Sequence, residues 1–133
     1  MAAPVEFGFA RGHVIQEYYV DNDADESVRS AIEEATGTAL VDDSYGDVAD
    51  GALIWWRAED FENEDLADLL VDATSNLDNG GLIWVLTPKP GKSGHVRPAE
   101  IAEAAETAGL ATTTATSVCA EWSGVRLTAR GRR

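Results

Sequence analysis

Lysine, cysteine and histidine are scarce in this chain: among 133 residues there are two lysines, one cysteine and two histidines. The lone Cys119 excludes an intrachain disulfide. His13 and His95 are far apart in sequence, and with that single cysteine they offer no cysteine–histidine or serine–histidine–aspartate set for a metal centre or a nucleophile. No apolar run approaches the roughly 20 residues that a membrane-crossing helix needs. The opening stretch, residues 1–6, has no basic segment followed by an apolar one, so no secretory signal is expected and the location expected is cytoplasmic. Positive charge is the most uneven absence. Residues 17–72 hold eighteen Asp or Glu against two Arg (Arg29 and Arg57), whereas residues 73–133 hold five acids against seven bases. The first half therefore repels nucleic acid and anionic membrane, both of them polyanions.

What is present suits a folded domain. Hydrophobic residues make up 44% of the chain and include four Trp, enough for a core in a single domain of this length. Residues 14–20 are rich in β-branched and aromatic types and read as a strand. Val28, Ala31, Ile32 and Ala35 then recur at helical spacing over residues 26–35, with Asp23 or Asp25 as cap and Gly37 as stop. Residues 39–41 make a weak strand and 42–47 a turn. The continuous apolar runs 52–56 and 82–86 are the mark of strands buried on both faces. Between them lies a helix over residues 64–77, followed by a turn at 76–81. After a loop at 87–97, Pro98 opens a third helix that runs to about residue 108 with Gly109 as its cap. Residues 112–120 and 125–129 are predicted strands joined by a Ser123-Gly124 turn. Strands alternating with helices give an α/β fold: a mostly parallel central sheet, helices on both faces, and a C-terminal antiparallel strand pair at one edge. The expected organisation is a flexible tail at 1–12, one domain at 13–129 and a basic tail at 130–133.

The segment from Leu66-Ala67-Asp68-Leu69-Leu70 through Asn79-Gly80-Gly81 to Leu82-Ile83-Trp84-Val85 resembles the helix, glycine turn and strand near the end of class I methyltransferases. Pro98 to Ala108, Gly109-Leu110 and Trp122-Ser123-Gly124 resemble their last helix and antiparallel pair, which implies a truncated, methyltransferase-like Rossmann fold. The full sequence also resembles a small actinobacterial family of unknown function, through Asp43-Ser44-Tyr45-Gly46-Asp47, Ile54-Trp55-Trp56-Arg57, Leu86-Thr87-Pro88-Lys89 and Gly94-His95-Val96. That likeness implies no particular activity. The front half departs from the enzymes: after Val20 comes Asp21-Asn22-Asp23-Ala24-Asp25, with no glycine before Gly37, where methyltransferases open their backbone to S-adenosylmethionine. No cofactor is therefore expected, and methyl transfer is disfavoured.

Two motifs tempt and fail. Pro90-Gly91-Lys92-Ser93-Gly94 resembles the end of a phosphate loop, but the first glycine of that motif would fall at Leu86, inside a strand. Asp21, Asp23 and Asp25 start like a calcium loop, but Glu26 and Ile32 stand where Gly and Glu are required, so a helix cap is the better reading. Trp55 and Trp56 point to opposite faces of one strand; both suit core packing, although one ring could anchor an interface. The basic cluster Lys89, Lys92, His95 and Arg97 follows a central strand, where ligands of open α/β sheets bind, and is weighed as an anion site against a solvated loop. The acidity itself suits solubility, salt adaptation, docking of a basic partner or mimicry of DNA. The leading expectation is a non-enzymatic regulatory or interaction domain whose partner is another protein met through the acidic face; homodimerisation is compatible with it. The candidate binding residues are Tyr45, Asp47, Trp56, Lys89, Lys92, His95 and Arg97. The alternative is a sensor or enzyme in which Tyr45, Asp47, Lys89 and His95 converge on one site.

Overall fold

The computed structural model describes residues 7–129. The strands are β1 (Ile15–Tyr18), β2 (Ala49–Trp55), β3 (Leu77–Pro88), β4 (Leu110–Thr112), β5 (Thr116–Ser117) and β6 (Trp122–Ala129). The helices are α1 (Glu26–Thr36), α2 (Leu66–Ser75) and α3 (Pro98–Thr107), with a 3-10 turn at Ala58–Glu62. The sheet runs β1-β2-β3-β6-β4, with β5 also on β6. β1, β2 and β3 are parallel, whereas β6 is antiparallel to β3, β4 and β5. The weak strand at 39–41 reduces to one parallel bridge, Val41 to Gln16, on the outer side of β1.

Local chemistry sets the helix ends. The carboxylate of Asp25 accepts the backbone N–H of Ser27 at the start of α1, and Gly37 adopts the left-handed conformation, φ 77°, that closes it. Asp65 caps α2 in the same way through Ala67 N–H, and Pro98 occupies the first turn of α3. The alternation of β2 then sorts the core. Leu53 and Trp55 face α1 with Ile15, Val28, Ile32, Trp84 and Trp122. Ala52, Ile54 and Trp56 face α2 and α3, whose Leu66, Leu69, Leu70, Ile101 and Ala105 cover them.

Four sequence expectations are corrected. Residues 7–9 are not a loose tail: Phe7 and Phe9 are buried on the α1 face, and the Trp84 indole N–H donates to the Phe7 carbonyl at 2.8 Å. Residues 1–6 and 130–133, also read as tails, lie outside the described residues. The chain does not turn throughout 76–81. β3 begins at Leu77, and the irregularity appears as a register shift opposite Ala49 and Gly51. Ser123-Gly124 is not a turn but the interior of β6. A Cβ on Gly124 would lie 2.7 Å from Leu86 and 2.8 Å from Val118, so close approach of side chains, not a bend, requires glycine there. Cys119 lies between β5 and β6, not within a strand, and is only partly buried.

Candidate functional site

Ligands of an open α/β sheet bind outside the carboxyl ends of the strands, where the winding changes direction. Here that point lies between β1 and β2, because the chain crosses from β1 outward to Val41 and then returns to the inner side of β1 as β2. The first residue past β1, Tyr19, takes φ 61°, a left-handed conformation uncommon for a side-chain-bearing residue. Two residues beyond β2, the Arg57 side chain turns back into the gap. Its Nη1 donates to the carbonyls of Tyr19 (3.0 Å) and Trp55 (2.8 Å) and to Asp60 (3.2 Å). Nε and Nη2 form a fork on Asp23 at 2.9 and 2.5 Å. The Trp122 ring lies 5.3 Å from the guanidinium carbon, and its indole N–H donates to the Asp23 carbonyl. The Arg57 side chain thus ties together the ends of β1 and β2 and the turn before α1. The hydrogen bonds from Arg57 hold the Asp23 carboxyl below its ordinary range, against the opposing pull of partial burial.

This arrangement is a poor fit for S-adenosylmethionine. The turn that would have to expose backbone carries Asp21, Asp23 and Asp25, and the space it would enclose holds a guanidinium already bonded to five acceptor atoms. A second internal ion pair lies on the α1 face of β1. Glu17, 4% exposed, accepts from Arg29 at 2.7 and 2.8 Å and from the Trp55 indole at 3.1 Å.

A cavity of about 500 Å³ opens on the α2 side of β1, lined by Gln16, Tyr18, Tyr19, Tyr45 and Asn76 with the carboxylates of Asp43, Glu64 and Asp72 and with Leu69. Its floor is a closed network. The Gln16 amide donates to the carbonyls of Asp42 (3.0 Å) and Tyr45 (3.2 Å) and accepts from the Tyr18 hydroxyl and the Asn76 amide. Asn76 also donates to the Asp47 carbonyl. These bonds pin the 42–48 loop, which crosses beneath β1 where the sequence supplies no helix. Burial, the Tyr19–Glu64 hydrogen bond (2.8 Å) and the nearby carboxylates push the Tyr19 hydroxyl up to about 12. Burial first, then Asp43 and Asp72, also raises Tyr18.

The sequence-derived candidates do not gather in one place. Tyr45 lines the tyrosine cavity, whereas Lys92 lines a separate cleft of about 290 Å³ with Asp23, Pro88, Ser93, Glu121 and Trp122. Asp47, Lys89 and His95 line neither, so the convergence of Tyr45, Asp47, Lys89 and His95 is not found. Asp47 serves the loop, its carboxylate accepting from Val48 N–H. The basic cluster is largely engaged by its own neighbours: Lys92 pairs with Glu121 at 3.1 Å, Arg97 with Glu100 at 3.3 Å, and His95 Nδ1 contacts the Pro88 carbonyl at 2.9 Å. Trp56 is fully buried between Tyr19 and Phe61, which rules it out as an exposed anchor; its indole N–H has no partner among the described residues. Sequence reasoning missed Arg57, Tyr18 and Tyr19. The available signal was Tyr18 alternating with the polar Gln16 on one face of β1.

Among the described residues no helix is long and apolar enough to cross a membrane. The fold is similar to that of methyltransferases of known structure. The mitomycin 7-O-methyltransferase MmcR aligns over 95% of this chain and 51% of its own, with a TM-score of 0.67 at 13% identity. The pyocyanin biosynthetic protein PhzM aligns over 94% and 52%, with a TM-score of 0.63 at 12% identity. A SAM-dependent methyltransferase from Aquifex aeolicus aligns over 92% and 85%, with a TM-score of 0.54. The chain thus spans about half the length of the first two. In sequence, it is 48% identical over 122 residues to Uncharacterized protein Rv2239c of Mycobacterium tuberculosis and to Uncharacterized protein Mb2263c of Mycobacterium bovis, covering 92% of this chain and 75% of theirs. The family model described as "Protein of unknown function (DUF3052)" matches residues 4–131, and the chain belongs to that family.

Proposed function

We propose that this protein is a binding domain that has kept the methyltransferase architecture without its chemistry, and that it docks a basic protein partner through its carboxylate-rich half. The observation that carries the reading is that both cations of residues 17–72 are already engaged by carboxylates of the same half. Arg57 bonds to Asp23, Asp60 and two strand-end carbonyls, and Arg29 to Glu17 and Glu26. The exposed carboxylates around them, including Glu34, Asp42, Asp43, Asp47, Glu59, Glu62, Asp68 and Asp72, are left without a basic neighbour on the same stretch of chain. Such a surface steers and holds a positively charged partner. The filled gap between β1 and β2 argues in the same direction, since a crevice that held a mobile cofactor would need space and open backbone.

Two titrations of the full chain test this. Calorimetry with S-adenosylmethionine is expected to give no saturable heat; binding with a defined stoichiometry would refute the reading. Fluorescence anisotropy with a labelled lysine- and arginine-rich peptide is expected to show binding at low salt that weakens steeply as salt screens the rim charges. No binding at low salt would remove the docking face.

A further inference from the structure

We propose that the tyrosine cavity on the α2 side of β1 is a binding site for a small organic cation carrying primary ammonium groups, such as an alkyl diamine. Its volume, about 500 Å³, lies within the roughly 300–1,000 Å³ usual for small-molecule sites. Its lining contains three phenol rings and three carboxylates and no basic side chain. That excludes anions and neutral apolar ligands and selects for positive charge. Aromatic rings favour organic cations through their quadrupoles. Among the described residues no group of three His, Cys, Asp or Glu is placed to hold a metal ion, so the carboxylates do not form a metal cage.

The polar groups are poised for N–H donors. Glu64 Oε1 is held by the Tyr19 hydroxyl, while Oε2 has no hydrogen-bond partner among the described residues. The carboxylates of Asp43 and Asp72 are likewise without partners among those residues and stand at the exposed rim. Gln16 and Asn76, in contrast, are engaged with the loop and with each other, so the floor keeps its shape without a ligand. An ammonium group can donate to three acceptors at once, which a quaternary ammonium cannot. Asp43 and Asp72 line the same cavity as Tyr18, and after burial they add to the upward push on its hydroxyl.

The test is calorimetric titration of the full chain with 1,4-diaminobutane and with spermidine, against tetramethylammonium and magnesium chloride at matched ionic strength. Saturable one-to-one binding of the amines, weaker for tetramethylammonium and absent for magnesium, is expected. The double variant Asp43→Asn, Asp72→Asn is expected to weaken amine binding about tenfold, since removing two nearby charges at a protein surface takes away an interaction of that order. Both positions are exposed, and circular dichroism checks that the variant is folded. The variant Tyr45→Ala, which removes one ring of the wall, is expected to weaken binding as well. Absence of saturable amine binding, an equal response to magnesium, or undiminished binding by the folded double variant would overturn the proposal. Any of these with peptide docking intact refutes the cavity site alone. Saturable S-adenosylmethionine binding refutes the binding-domain reading and leaves the amine result to stand or fall separately.

Discussion

Replacing Arg57 by alanine is the sharpest test of how the strand ends are held. The side chain is 8% exposed and makes five hydrogen bonds. The cost is uneven across its partners. The Asp23 side chain is 53% exposed and regains water when the fork is lost, whereas Asp60, at 11%, and the two strand-end carbonyls have less access to it. Asp60 also keeps one bond, from the Arg57 backbone N–H. Breaking a fully buried ion pair costs about 3–5 kcal/mol, and the rehydration of Asp23 places this case at the lower end, about 3 kcal/mol. For a chain of this length that corresponds to a fall of about 10 °C in the melting midpoint. Urea unfolding followed by tryptophan fluorescence reads it directly, since the Trp122 ring lies 5.3 Å from the guanidinium and packs edge-on against Trp55. The variant Arg57→Lys should recover only part of the loss, because an ammonium cannot span the Asp23 fork and two carbonyls together. Asp23→Asn should cost less than Arg57→Ala. A loss below about 1 kcal/mol for Arg57→Ala, within the range of an exposed pair, would refute the view that this residue locks the sheet edge.

Three other outcomes follow from the packing and the titrating groups. Gly124→Ala should destabilise by about 1–3 kcal/mol through overpacking against Leu86, Val118 and Trp84, read as a lower urea midpoint with an unchanged slope. Phe7→Ala should cost about 3 kcal/mol, because the ring is buried edge-on against Trp84 at 4.9 Å between centroids; a loss under 0.5 kcal/mol, the scale of ordinary surface changes, would restore the tail reading. Tyr19 favours its protonated form in the folded state. Its contribution is therefore complete below the ordinary tyrosine value of 10 and is lost as the pH rises toward about 12. Alkaline unfolding of Tyr19→Phe should show a shallower fall in stability across that window. On the acid side Asp23 works in the opposite sense: its depressed carboxyl contributes above the ordinary value of 3.8 and loses that contribution as the pH falls below it.

The elements legible in the sequence were those whose signals are local. Asp25, Gly37 and Pro98 mark helix ends through bonds to residues a few positions away. The all-apolar runs around Leu53 and Val85 announce burial on both faces without reference to any neighbour. The errors came where one residue type serves two purposes. Glycines near residue 80 and at position 124 read as turns, yet both segments are extended strand, and at Gly124 the constraint is a side chain arriving from another strand. The two phenylalanines at 7 and 9 are too few to show a period, so their burial could not be read. The same limit hid the site. Arg57 has local partners in Trp55 and Asp60, but the partners that make it a tie between strand ends, Asp23 and Tyr19, lie 34 and 38 residues away. Lys89 to Arg97 looked prominent for the opposite reason: a dense local cluster draws notice even when its own acids answer it.

The Phe7–Trp84 contact also bears on the order of assembly. Seventy-seven residues separate the carbonyl of Phe7 from the indole that binds it. The α1 face cannot be sealed at this end until β3 has been made and paired with β2. Loop closure over that span is costly before other contacts reward it. The first described residues are thus expected to dock late, so that during synthesis the aromatic face of the young sheet stays open to water until β3 has emerged and paired with β2.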